Sequence, residues 1–310
     1  MKSEKLRKNV LLKELTTFRV GGKAKYFLEA SNKEEIIEVI SWAKAKKMPF
    51  FVLGGGSNIL ISDKKYKGIV IQVKNQNLKV KIESQNSKVI EAEAGVPLGK
   101  IVGLALQEGL AGMEWAMGIP GTVGGAIHGN AGAFGSTIGD SIEEVEVLKI
   151  CKGQPSKKLE LSSGEGCPLH IFKKEECNFK YRESIFKKNK NLIILSAKIK
   201  LQTGDKQEIE NKMKDYFQKK KQTQPLEFFC AGSVFKNPEK FSAGELIEKV
   251  GLKGKRIGGV EISQKHSNFI VNNGRAKARD VKKLIDLVKK KVKKKFDIIL
   301  EEEIQYLNFL

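Results

Sequence analysis

The chain has 310 residues, 40% of them hydrophobic, enough to bury a large core and a length that suits two or three domains. The opening MKSEKLRKNVLLKEL scatters charge where a secretory signal would hold an apolar run, and no apolar stretch approaches the roughly 18 residues of a membrane span, so an intracellular, soluble protein is expected. A formal charge of +21, from 57 Lys and Arg against 36 Asp and Glu, leaves nucleic acid, acidic membrane surfaces and anionic small molecules as partner classes.

Cys151, Cys167, Cys177 and Cys230 form no Cys-x-x-Cys pair, and His128, His170 and His266 lie far apart. Reduced thiols and no metal site are expected.

In chain order, Ser31-Asn-Lys-Glu34 reads as a capping box that opens a helix through Ile36, Ile37, Ile40 and Ala43, stopped before Pro49. Phe50-Phe-Val-Leu53 then reads as a strand, which runs through Gly54-Gly-Gly-Ser-Asn58 into a second apolar run, Ile59-Leu-Ile61. The glycine loop therefore joins strand to strand. A dinucleotide fingerprint needs a strand before it and a helix after it, and a P-loop needs a Gly-Lys-[Ser/Thr] ending; neither is present. Consecutive loop amides can still form a nest for a phosphate, although three glycines by themselves equally make a plain turn.

Residues 68–73 and 89–94 read as strands, and Pro97 opens a helix that Gly109 closes. Short strands interleaved with helices indicate α+β layering. Eight glycines then fall between Gly118 and Gly139. Such density weakens any helix or strand, so this segment is expected to let backbone approach a ligand, its small and apolar residues forming a wall for a flat ring system. Strands resume from 143 to 201, including Leu192-Ile-Ile-Leu195, and a linker follows near Gly204. Asp205 to Lys221 reads as a helix on Ile209, Met213, Tyr216 and Phe217, opening a C-terminal unit. Eight lysines lie between Lys282 and Lys295, while Val281, Leu284, Ile285, Val288, Val292 and Phe296 keep helical spacing. No aromatic residue interleaves those lysines as single-strand binding would favour, so a solvated lysine-coated face is expected. Asp297-Ile-Ile-Leu300 reads as a terminal strand.

Taken together, Thr17-Phe-Arg-Val-Gly-Gly22, Leu53-Gly-Gly-Gly-Ser-Asn-Ile-Leu60, Gly118-Ile-Pro-Gly-Thr-Val-Gly-Gly-Ala126 and Ala231-Gly-Ser-Val-Phe-Lys-Asn-Pro238 resemble the UDP-N-acetylenolpyruvoylglucosamine reductases, also called UDP-N-acetylmuramate dehydrogenases. The resemblance continues through Asn130-Ala-Gly-Ala-Phe-Gly135, Tyr181-Arg-Glu-Ser184, His266-Ser-Asn-Phe-Ile-Val-Asn272 and Leu300-Glu-Glu-Glu-Ile304, and covers nearly the whole chain. It implies an α+β fold: a two-subdomain FAD-binding module of the vanillyl-alcohol-oxidase type, at residues 1–75 and 76–204, and a C-terminal α+β substrate domain at 205–310. It also implies a cytoplasmic monomer in peptidoglycan precursor synthesis, with neither nucleic acid nor membrane as partner. The stretch between Ser184 and Gln224 is too short for the inserted tyrosine loop of one class, so the chain is similar to the shorter class.

The chemistry implied is reduction of FAD by NADPH, then hydride transfer from flavin N5 to the terminal methylene carbon of UDP-N-acetylglucosamine enolpyruvate, giving UDP-N-acetylmuramate. Charge then builds beside the carboxylate. By the same resemblance Arg182 stabilises that charge with its two-pronged guanidinium, Ser233 supplies the proton, and Glu303, the last of three consecutive glutamates, is the catalytic carboxyl, expected to hold a proton beside the substrate carboxylate. Gly54, Gly55, Gly56, Ser57 and Asn58 are expected at the FAD diphosphate, and Pro120, Gly121, Thr122, Gly124, Gly125 and Asn130 along the other side of the cofactor. Lys221, Lys236, Asn237 and His266 fall where relatives touch the nucleotide or sugar. Cys230, and His128-Gly129 before Asn130, depart from the usual pattern without removing a catalytic group. Another FAD-dependent oxidoreductase of the same cofactor fold would keep the glycine loops but lack the Arg182, Ser233, Glu303 set.

Overall fold

The structure is a computed structural model and describes residues 5–84, 86–150 and 168–309. Cys151 and Cys167 lie outside them. The chain divides into two compact units, one of residues 1–7, 26–55 and 67–218 and the other of residues 8–25, 56–66 and 219–310.

The first unit is built on an antiparallel sheet in the order Leu169–Lys173, Ile142–Lys149, Leu192–Thr203, Ser87–Glu93, Leu78–Ser84, with the short Leu110–Ala111 also paired to the long central strand. That central strand shows why it pairs this way. From Leu195 onward its residues alternate, with Leu195, Ala197, Ile199 and Leu201 buried and Ser196, Lys198, Lys200 and Gln202 turned outward. The outward face carries ion pairs between neighbouring strands, Lys198 with Glu144, Lys173 with Glu144 and Lys81 with Glu91, and one that reaches across an intervening strand, Lys200 with Glu83. Exposed pairs of this kind contribute little each, about 0–1 kcal/mol, and chiefly discourage a slip in register. The buried residues of the inward face belong to one apolar core together with Ile36 and Ile40 of helix Lys33–Ala45 and Ile101 and Val102 of helix Leu98–Gln107. A parallel pair, Phe50–Leu53 with Tyr66–Val73, belongs to a second sheet.

Two local expectations shift here. The first helix is capped one residue later than the Ser31/Glu34 pattern suggests: Asn32 Oδ1 accepts from Glu35 N at 2.8 Å, and Ser31 N donates to Glu35 Oε2 at 2.8 Å. Asn32 has extended backbone and an amide oxygen in reach, so it captures the orphan N–H first. The glycine-rich segment also holds a helix, Val123–Gly129, which the glycine content argues against. It forms because Thr122 caps its start, buried Val123, Ala126 and Ile127 anchor one side, and Asn130 ends it in the left-handed region at φ 45°.

The second unit centres on helix Ala278–Phe296, whose Val281, Leu284, Ile285, Val288 and Val292 pack with Leu246, Ile247, Val260 and Ile262. Its three-stranded sheet runs Arg256–Ile257, Val260–Ile262, Ile270–Asn272. Residues that the sequence places in a first FAD subdomain join this unit. Ile59–Ile61 pairs in parallel with Gln305–Leu307, and the Asp63 carboxylate caps the long helix by accepting from Ala278 N at 3.0 Å and Arg279 N at 3.1 Å. Asn272 Nδ2 donates to Phe18 O at 2.9 Å.

The strand expected at 297–300 is absent from the structure. Asp297 adopts φ 59°, ends the helix and turns the chain, leaving Ile299 71% exposed; the strand comes later, at Gln305–Leu307. The lysine-coated face is partly matched within the unit, by Lys282 with Asp286, Lys289 with Glu302 and Lys293 with Asp297. Among the described residues no helix is long and apolar enough to cross a membrane.

Candidate active site

In the first unit, strand Phe50–Leu53 delivers Gly54 and Gly55 against the second glycine-rich loop. A Cβ on Gly54 would sit 2.6 Å from Thr122 Oγ1, and one on Gly55 would sit 2.8 Å from the Cα of Gly121. The two loops meet backbone to backbone, which no residue with a side chain permits. The second loop is held from behind: Leu98 N donates to Gly121 O at 3.0 Å, Val123 N to Val96 O at 2.9 Å and Gly124 N to Ala94 O at 2.9 Å. Thr122 Oγ1 accepts from Gly125 N at 3.4 Å.

Beyond that loop the chain is tied to the Tyr-Arg-Glu-Ser segment. Lys180 and Glu183 exchange two backbone hydrogen bonds, 3.1 and 3.0 Å, closing a two-residue turn on Tyr181 and Arg182. Arg182 has φ 56°, uncommon for a side chain of its size. Its Nη2 donates to Gly132 O at 2.8 Å and its guanidinium carbon lies 5.1 Å from the Tyr181 ring centre. Ser184, fully buried, donates from Oγ to His128 O at 2.7 Å and caps the next short helix.

His128 is where burial has a measurable consequence. Burial first, and the Lys187 charge second, push its imidazole down to about 4. A histidine kept neutral in the fold but able to take a proton in the unfolded chain makes the unfolded state the better proton binder between about pH 4 and 6.5. Stability is therefore complete above the unfolded value and falls as pH drops through that window, by roughly 3 kcal/mol in all. The melting temperature should fall more between pH 7 and pH 5 in the wild type than in His128→Asn; equal pH slopes would show that His128 carries no such linkage.

In the second unit the Ser233 and Glu303 segments are neighbours. Glu303 N donates to Val234 O at 2.8 Å, Lys236 N donates to Glu301 O at 2.9 Å, and Phe235 bridges to Glu302, so residues 234–236 run antiparallel to 301–303. Asn268 locks the first of these strips, its Oδ1 accepting from Phe235 N at 3.0 Å and its Nδ2 donating to Phe235 O at 2.8 Å. Gly232, at φ 74°, turns the chain into Ser233. Asn58 reaches the same place, its Nδ2 donating to Glu303 O at 3.3 Å while its own carbonyl accepts from Gln305 N at 3.0 Å. Gly56, at φ 65°, lies so close to Leu15 that a Cβ would come 2.1 Å from its carbonyl oxygen. Glu301 pairs with Lys236 at 2.7 Å and Glu302 with Lys289 at 2.9 Å.

His266 is held with Nδ1 accepting from Asn268 N at 3.2 Å, and burial holds its pKa below the usual imidazole value. Asn237 Oδ1 accepts from Ala243 N at 3.0 Å. Lys221 is exposed, its carbonyl accepting from Lys265 Nζ at 2.6 Å. Its neighbour Lys220 is the one that folding buries, at 4% exposure, with its ammonium pushed down to about 8 by burial. No motif singles it out in the sequence, but its spacing does: Ile209, Met213, Tyr216, Phe217 and Lys220 fall on one helical stripe. Cys230 is half-buried, its thiol held above the ordinary range chiefly by burial.

Residues 24–156 match the family described as FAD binding domain, and residues 224–307 match that described as UDP-N-acetylenolpyruvoylglucosamine reductase, C-terminal domain. The UDP-N-acetylenolpyruvoylglucosamine reductase of Clostridium novyi (strain NT) is 40% identical over 302 residues, 97% of this chain and 92% of that one. The reductase of the same name from Prochlorococcus marinus (strain NATL2A) is 40% identical over 310 residues, the whole of both chains. The crystal structure of UDP-N-acetylenolpyruvylglucosamine reductase from Thermus caldophilus is 34% identical, covers 97% of this chain and 99% of its own, and superposes with a TM-score of 0.77. An FAD-binding domain followed by a C-terminal α+β domain defines the class, an FAD-dependent oxidoreductase. Likeness at this level across nearly the full length then narrows it. The chain belongs to the UDP-N-acetylenolpyruvoylglucosamine reductase family.

Proposed function

We propose that this chain reduces UDP-N-acetylglucosamine enolpyruvate to UDP-N-acetylmuramate, with NADPH as electron source, as a step in peptidoglycan precursor synthesis. The observation that carries the reading is the antiparallel pairing of 234–236 with 301–303, which puts an alcohol and a carboxyl on adjacent strips of one unit.

The residues present fit FAD, because Gly54 and Gly55 close on Thr122 and Gly121 so tightly that no side chain has room there, which leaves main-chain amides to meet a diphosphate. Gly54, Gly55, Gly56, Ser57 and Asn58 would serve the diphosphate through their amides, with Pro120, Gly121, Thr122, Gly124 and Gly125 along the cofactor's other side; Asn130, which the family resemblance sets beside them, has its carboxamide bonded instead to Lys180 O and Gly139 N. Bound there, FAD would supply hydride chemistry for the enolpyruvyl methylene carbon. The protein's own part is electrostatic and protonic. Arg182, permanently charged, grips the substrate carboxylate and stabilises the negative charge growing on the adjacent carbon. Ser233 gives that carbon its proton, and a protonated Glu303 donates a hydrogen bond to the same developing charge. Lys221, Lys236, Asn237 and His266 meet the nucleotide and sugar, and a basic protein suits ligands that are all anionic.

The test is a visible spectrum of the purified protein followed by NADPH oxidation with and without the enolpyruvyl UDP-sugar. Flavin bands near about 450 nm with substrate-dependent NADPH consumption are expected. Bound flavin without that dependence would remove the substrate and leave the cofactor.

A further inference from the structure

We infer that Asn130 is a positioning residue for Arg182, its carboxamide clamping the turn that presents the guanidinium. The inference rests on the reading of Arg182 as the group that meets the substrate carboxylate.

Asn130 is 4% exposed and both ends of its side chain are engaged inside the first unit. Nδ2 donates to Lys180 O at 2.9 Å, and Oδ1 accepts from Gly139 N at 3.1 Å. Lys180 O is also the acceptor for Glu183 N, the bond that closes the turn on Tyr181 and Arg182. One carbonyl thus takes two donors, as its two lone pairs allow. Arg182 sits in that turn at φ 56°, a strained conformation for a non-glycine residue, which persists only where the surroundings over-determine it. The second bond of Asn130 fixes the other side of the same arrangement. Gly139 follows a tight hairpin in which Gly132 pairs with Thr137 and Ala133 with Ser136, and Gly132 O is the acceptor for Arg182 Nη2 at 2.8 Å. One carboxamide therefore holds both the turn that carries the guanidinium and the hairpin that orients it. Lys187 adds a third hold, donating from Nζ to Arg182 O at 3.0 Å.

Asparagine suits the place for two reasons at once: it tolerates the left-handed backbone at φ 45°, and it offers a donor and an acceptor together. Aspartate keeps the backbone and the bond from Gly139 but, ionised, presents an acceptor to the Lys180 carbonyl. Glycine keeps the backbone and removes both bonds.

The experiment uses the flavin-loaded enzyme and the variants Asn130→Gly, Asn130→Asp, Arg182→Gln and Asn130→Gly/Arg182→Gln, with flavin absorbance per chain, hydrogen exchange of the Glu183 amide, and kcat and KM for the enolpyruvyl UDP-sugar as readouts. Flavin content should stay at the wild-type level while the Glu183 amide exchanges at least about tenfold faster in Asn130→Gly. Turnover should fall about 10- to 100-fold in either Asn130 variant, as for a reacting group displaced by a fraction of an ångström to an ångström. In the Arg182→Gln background Asn130→Gly should cost less than about twofold more, because the group it positions is gone. Unchanged Glu183 exchange, or losses that multiply fully in the double variant, would overturn the inference, as would flavin loss with the turn intact. Should Asn130→Gly fail to fold, Asn130→Asp carries the same exchange and turnover tests. Full turnover in Arg182→Gln alone would instead remove the catalytic reading of Arg182, a result distinct from any of these.

Discussion

Arg182→Gln should lower turnover by about 10²- to 10³-fold while the protein keeps its flavin, the loss typical when one preorganised donor to a developing negative charge is removed. The substitution isolates chemistry from backbone. Arg182 lies at φ 56°, and glutamine bears the same left-handed penalty, so the turn between Lys180 and Glu183 is no less strained than before. Glycine would relax that strain and confound the result. Arg182→Lys should fall between wild type and Arg182→Gln, since it restores a positive charge without the planar fork that meets a carboxylate with two bonds. Steady-state kcat with the enolpyruvyl UDP-sugar, read beside flavin absorbance, decides the matter. A loss below about fivefold in Arg182→Gln would mean that the guanidinium is a structural tie to Gly132 and little more.

Gly55→Ala should give a protein that purifies nearly colourless. The added methyl would come 2.8 Å from the Cα and 3.2 Å from the carbonyl carbon of Gly121, main-chain atoms that cannot rotate away. Gly121 is itself fixed through its carbonyl, which accepts from Leu98 N at 3.0 Å. The two loops must part, and overpacking of this kind costs about 1–3 kcal/mol, equivalent to roughly 5- to 150-fold in affinity for whatever the loops hold. Gly129→Ala is the matched control. It lies at the end of helix Val123–Gly129 with nothing within 4 Å of its would-be Cβ, and it should keep its full flavin absorbance. Equal colour in both variants would separate FAD binding from the close approach of the loops.

Local signals in the sequence carried much of this fold. The strands at Phe50–Leu53 and Ile59–Ile61 fall where apolar runs and the glycines between them place them. The helix Ala278–Phe296 follows the spacing of its apolar stripe, and a stripe that wide declares itself whatever the lysines do. What stayed hidden depends on distant partners. Nothing near Asp63 announces that it caps a helix starting at Ala278, and nothing near Ile59–Ile61 names Gln305–Leu307 as its neighbour. The helix within the glycine-rich segment forms against propensity because tertiary burial of Val123 and Ile127 outweighs backbone entropy. The site divides along the same line. Family likeness singles out Arg182, Ser233 and Glu303, whereas the two side-chain bonds of Asn130 and the burial of Lys220 become visible only in the folded structure.

The second unit is assembled from segments far apart in the chain, and this bears on how it is made. Asn58 and Glu303 are separated by 245 residues, so on a ribosome the strand Ile59–Ile61 emerges long before the strand that will flank it. Until then a row of unsatisfied amides and carbonyls in an apolar strand lies open, the kind of edge that recruits other chains. The first unit can close its main sheet once Leu192–Thr203 has been synthesised, but the second must wait for Gln305–Leu307. Closing so long a loop is slow relative to local pairing. Nascent chains stalled short of Gln305 would thus be the ones most dependent on a holdase, with aggregation seeded at Ile59–Ile61 rather than at the glycine loops.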